Sequence, residues 1–86
     1  MMEELLAFLA ARYGEAWRAA RDAELAAGQS RMGEATRTVE AHRQLLGLAD
    51  DARREDTREH LVMERVVRIL GAVYEDHPLY RAEWRP

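Results

Sequence analysis

The spacing of apolar side chains constrains this chain more than any other feature. Met2, Leu6, Leu9, Tyr13, Ala16, Ala20, Ala23 and Ala27 follow one another at steps of three and four, which places them on one face of a helix. Leu5, Phe8 and Trp17 flank that seam. Met32, Ala35, Val39, His42, Leu46 and Ala49 repeat the pattern, as do Met63, Val66, Leu70 and Val73. No segment alternates as a strand would. The expected fold class is therefore all-α, a three-helix bundle or helical hairpin with a short C-terminal helix, in one domain spanning residues 1–86. The seams are either consumed within the chain or shared in an oligomer.

The punctuation of the sequence sets the expected boundaries. Gly28 suits a left-handed C-cap and Ser30 a following N-cap, giving helices over 2–27 and 31–48. The first seam starts bulky and ends in alanine, so this helix should approach its neighbours more closely in its C-terminal half. Eight of the eleven residues from Asp50 to His60 are charged, which reads as a connector over 50–60. Gly47 and the two aspartates after it favour a break there, although a continuous helix stays open. The third helix, over 56–75, is the most hydrophobic and is expected to be central. His77-Pro78 should end it, because proline disfavours helical geometry in the residue before it. Pro78, with Asp76 or His77 as cap, then opens a last helix over 78–84.

Composition narrows the function. A chain of 86 residues buries roughly 60–65% of its unfolded surface, so the core is thin. There is no cysteine, which excludes disulfides and thiolate sites. No apolar run reaches the roughly 18–20 residues of a membrane span, and the acidic start Met1-Met2-Glu3-Glu4 is unlike a secretory signal, so a cytoplasmic location is expected. All 13 basic residues are arginine, and lysine and asparagine are absent, which suggests a GC-rich genome.

Reactive constellations are sparse. Asp56, His60 and Glu64 stand four apart on one helical face and are the weak metal candidates. Neither Glu-x-x-His pairs nor His-Glu-x-x-His occurs, and a charged run generates such neighbours by chance. Ser30 is the only serine and stands where a cap is needed, so neither an enzyme nor a cofactor is expected. Arg31, Arg37 and Arg43 are six apart, which spreads them around their helix instead of concentrating them as a DNA-binding face requires. The reading that remains is a non-catalytic protein–protein interaction or assembly module, with a small nucleic-acid-binding regulator as the alternative. Its expected interface is the seam of Leu6, Leu9, Tyr13, Ala16, Ala20, Met32, Val39, His42 and Leu46. The partner would be another protein or a second copy.

The ending Tyr74-Glu75-Asp76-His77-Pro78-Leu79-Tyr80-Arg81-Ala82-Glu83-Trp84-Arg85-Pro86 resembles small actinobacterial and actinophage proteins of unknown function that close on Tyr-x-Asp-His-Pro-x-Tyr-x-x-Glu-Trp-x-Pro. The opening Glu4 to Arg12 and the internal Val39 to Arg43 are similar too. Many such proteins carry a tryptophan-containing insert between the first two helical segments, where this chain has only Gly28 to Ser30. The resemblance implies a phage or mobile-element context and brings no reaction or ligand. Physically, Asp76, Pro78, Tyr80 and Trp84 are expected to form a clasp that returns the chain onto its body.

Overall fold

The computed structural model describes residues 2–55 and 58–86. Helix α1 spans Met2–Ala26, α2 Glu34–Glu55 and α3 Glu59–Ala72, and a 3-10 turn, Ala82–Trp84, follows near the C-terminus. Among the described residues there is no strand. The all-α bundle is thus present, with several boundaries moved.

Helix α1 forms the hub. Leu5, Leu6, Phe8, Leu9 and Tyr13 are buried, and they meet Leu46 and Ala49 of α2, Val67 of α3 and Trp84. Bulky side chains occupy only the first half of α1, so the core collects there. Helix α3 is peripheral: despite its hydrophobicity it buries only Val67 and Gly71. Its apolar residues cover too wide an arc to face a single neighbour. Gly71 is small because Leu5 comes close, and an added Cβ would stand 3.2 Å from Leu5 Cδ1.

The C-terminal end of α1 follows from backbone chemistry. Gly28 adopts a φ of 83°, while Gly28 N–H donates to Leu25 O and Gln29 N–H to Glu24 O. These paired bonds satisfy carbonyls that the helix end would otherwise leave open. In the alanine half of the seam Ala16 and Ala20 are half-buried, while Ala23 and Ala27 are exposed.

Helix α2 starts at Glu34, not at 31, and Ser30 does not cap it. The carbonyls of Ser30 and Arg31 instead accept hydrogen bonds from Arg21, at 2.6 and 3.2 Å, which holds the connecting loop against α1. Helix α2 also passes through Gly47 without a break and runs to Glu55. Ala49 and Ala52 face inward, and Asp50 pairs with Arg53 and Arg54 one turn on, so the charged stretch carries a helical register. Of the expected connector, Asp56 and Thr57 lie outside the described residues.

Helix α3 ends at Ala72, and successive turns follow through Tyr74, Glu75 and His77. Pro78 does not open a helix over 78–84. The His77 ring supplies the local support that a helix cap was expected to give, its Nδ1 accepting the Leu79 N–H at 3.1 Å. Because Leu9 lies at the centre of the thin core, Leu9→Ala should reduce the unfolding free energy by about 2–5 kcal/mol. Leu48→Ala, at a 59% exposed position, should change it by less than about 0.5 kcal/mol. Urea unfolding of the two variants checks both values.

Candidate interaction face

The expected interface residues divide in the folded chain. Leu6, Leu9, Tyr13 and Leu46 are buried in the chain's own core, and Val39 packs against it. The His42 ring lies 5.5 Å from that of Tyr13. Ala16 and Ala20 are half-buried, while Met32 is exposed in the loop before α2. Leu6, Leu9, Tyr13 and Leu46 therefore hold the bundle together, and of the expected interface Met32 is the residue that stands exposed.

Most of the exposed large apolar side chains lie along α2 and α3, while Leu25, Met32 and Leu79 are exposed elsewhere. Leu45 and Leu48 are exposed on one side of α2. Val62 and Ile69 of α3 and Val73 at its C-cap are 61–81% exposed. With the half-buried Val66, they follow steps of four, three and four and so form one stripe. Glu59 stands at the N-terminal end of that stripe, three residues before Val62. Leu48, Asp51, Ala52, Glu55, Glu59 and Met63 together line a groove of about 360 Å³ between the two helices. The sequence contains a signal for this face: the apolar arc of α3 includes residues 62, 66, 69 and 73 as well as 63, 67 and 70, more than one packed face can use.

Two polar or aromatic devices fix the body behind that face. Glu24 of α1 is buried, and its Oε1 accepts the Thr36 hydroxyl at 2.8 Å. Its Oε2 accepts the Thr36 N–H at 3.4 Å, and Arg21 adds a charged donor at 3.2 Å. The Glu24 carboxyl is held below its ordinary range, first by the Gly33 backbone N–H, with Thr36 and Arg21 adding to the effect against the opposing cost of burial. A Cβ on Gly33 would lie 2.6 Å from Glu24 Oε2, so the loop needs glycine there to reach the carboxylate. A carboxylate from α1 thus caps the start of α2, the role the sequence pattern gave to Ser30.

The C-terminal clasp is the second device. Trp84 is 4% exposed, with its ring 5.2 Å from Phe8 and 5.5 Å from Tyr80. Arg68 donates to the carbonyls of Glu83 and Arg85, at 2.7 and 3.3 Å, and Arg81 pairs with Glu4. Tyr80 and Trp84 thus close onto the body as expected. Asp76 and Pro78 remain exposed. Nearby, burial and the neighbouring Tyr74 push the Tyr13 phenol up to about 12.

Of the metal candidates, Asp56 lies outside the described residues, and Glu64 is engaged by Arg68 at 3.3 Å. Among the described residues no group of three histidines or acids is placed to hold a metal ion. A further groove, of about 520 Å³, lies between α1 and α2, but its cations are already partnered: Arg53 by Glu3 and Asp50, Arg43 by Glu40.

A family described as Family of unknown function (DUF6221) matches the chain over residues 2–86. The chain belongs to that family. No curated protein and no solved structure matches it. The matched region of this DUF6221 member includes the whole bundle, the Glu24 cap and the Trp84 clasp. No helix among its described residues is long and apolar enough to cross a membrane.

Two outcomes follow for this DUF6221 protein. The Glu24 shift is downward, so its contribution to stability is complete above the ordinary carboxyl value of 4.5 and is lost as pH falls through the lower folded value. Thermal melts from neutral pH into acid should therefore fall more steeply for the native chain than for Glu24→Gln, which starts less stable. Trp84→Ala should cost about 3–5 kcal/mol, whereas Pro78→Ala should change little, as urea titrations of both would register.

Proposed function

We propose that this chain is a non-catalytic helical module that acts by binding another protein through the exposed apolar side of α2 and α3. The observation that carries the reading is the exposure of Leu45 and Leu48 on α2 and of Val62, Ile69 and Val73 along α3, with Leu48 and Met63 lining one groove between the helices. Single exposed leucines need no explanation, but a stripe along two adjacent helices marks an interaction surface. In so small a chain, side chains left in water are unused driving force for folding.

Electrostatics support the same reading over nucleic-acid binding. The net charge is −3, and many arginines are committed within the chain. Arg21 and Arg37 hold loop carbonyls, Arg68 holds the C-terminus, and Arg12, Arg53, Arg54 and Arg81 face carboxylates. Electrostatic binding to DNA depends on cations free to replace counterions. The resemblance of the C-terminal ending to actinophage proteins, together with the exclusive use of arginine, supports a mobile-element context and action in the cytoplasm.

The test is a Leu48→Glu/Ile69→Glu chain, compared with Ala19→Glu as a control on another exposed surface. Both should keep their helical circular dichroism and their melting temperature to within a few degrees. Polypeptides retained from a host extract by the native chain and by the control should be lost by the double variant. Identical retention by all three chains, or tight binding of mixed-sequence duplex DNA that weakens steeply with salt, would contradict the proposal.

A further inference from the structure

The α2–α3 groove differs from its neighbours in its charge. Its floor is Leu48, Ala52 and Met63, its rim is Asp51, Glu55 and Glu59, and no arginine lines it. In the α1–α2 groove each lining arginine has a carboxylate partner. In the groove beside the clasp, Arg81 pairs with Glu4 and Arg12 with Glu15. Asp51 and Glu55 are exposed and stand one helical turn apart, so they repel each other. Glu55 is also the last residue of α2, where the helix dipole disfavours negative charge. Placing two carboxylates there has a local cost. Arg53 and Arg54 share that last turn, but they pair with Glu3 and Asp50, and among the described residues no ion pair reaches Asp51 or Glu55.

A cation supplied from outside would offset that cost. Resting on the interaction reading above, we infer that the α2–α3 groove takes an amphipathic helix of a partner protein. The partner's apolar ridge lies over Leu48, Met63 and the stripe of Val62, Ile69 and Val73, and its arginine or lysine side chains reach Asp51 and Glu55. This is recognition of a helix in a groove, with charge fixing the orientation. Met63 suits such a floor because its unbranched side chain adapts to what it meets.

A second copy of this chain fits the groove less well. Antiparallel pairing centred on the α3 stripe would bring Glu75 and Asp76 of one copy over Glu55 and Glu59 of the other. Parallel pairing would set each of these acids beside its own equivalent. Both arrangements place like charges together at the acidic end.

Two synthetic helices of about 18 residues with one shared leucine ridge test the inference. One carries arginines beside the ridge at one end and the other carries glutamates there. Each is labelled and titrated with the whole chain while fluorescence anisotropy is read. The arginine helix should bind at least about tenfold more tightly than the glutamate helix. Asp51→Arg/Glu55→Arg should reverse that order, and Leu48→Glu should abolish binding of both. Equal binding of the two helices by the native chain would overturn the charge argument while leaving the apolar face intact as a docking surface. Undiminished binding of the arginine helix by Leu48→Glu would overturn the groove, since attraction to bulk negative charge would then suffice. If neither helix binds, sedimentation separates the remaining outcomes. A dimer lost on Leu48→Glu would make a second copy the occupant, and a monomer at all concentrations would overturn both the inference and the interaction reading.

Discussion

The whole architecture depends on the burial of one half of one helix. The first half of α1 concentrates the bulky residues Leu5, Leu6, Phe8, Leu9 and Tyr13, and every other element reaches the core by touching that half. The second half is mostly alanine and charge and has little to bury. The chain compensates there with polar chemistry, using Glu24 to bind the start of α2 and Arg21 to hold the loop. A hydrogen-bonded carboxylate in place of an apolar contact makes that end sensitive to acid in a way the leucine end is not.

A core centred on α1 determines what α3 can do. One side of α3 meets α1 and the clasp through Val67, Gly71 and Arg68. A further part meets α2 through Met63. On the remaining arc Val62, Ile69 and Val73 stay exposed and Val66 is half-buried. The face we assign to binding is thus a geometric consequence of two helices and the C-terminal turn gathering around the first.

Much of the fold was legible because apolar periodicity is a local signal that survives folding. The α1 seam, the Gly28 C-cap and the aromatic return of Tyr80 and Trp84 all read directly from residue type and spacing. The errors arose where a distant group replaced a local one. Ser30 satisfied every local rule for a cap, yet Glu24, twelve residues before Thr36, takes that role because the glycine at 33 lets the loop come close. Gly47 and the two aspartates resembled a break, but burial of Ala49 and Ala52 carries α2 past them. For the interaction face, the sequence supplied seams without saying which seam would be spent on the core. Of the expected interface, Leu6, Leu9, Tyr13 and Leu46 went inward because α1 is the hub, Met32 stayed exposed, and the broader stripe on α3 remained outside.

The central claim is that in the folded chain the apolar stripe on the α2–α3 side stands open while the bulky first half of α1 is buried. Methyl NMR with a soluble paramagnetic agent tests this side chain by side chain. The account requires the methyl signals of Leu48, Val62, Ile69 and Val73 to be strongly relaxed by the agent. Those of Leu5, Leu9 and Val67 should be left sharp. Protection of the α3 stripe to the same degree as Leu9 would mean that the face is already covered, and the account would be wrong.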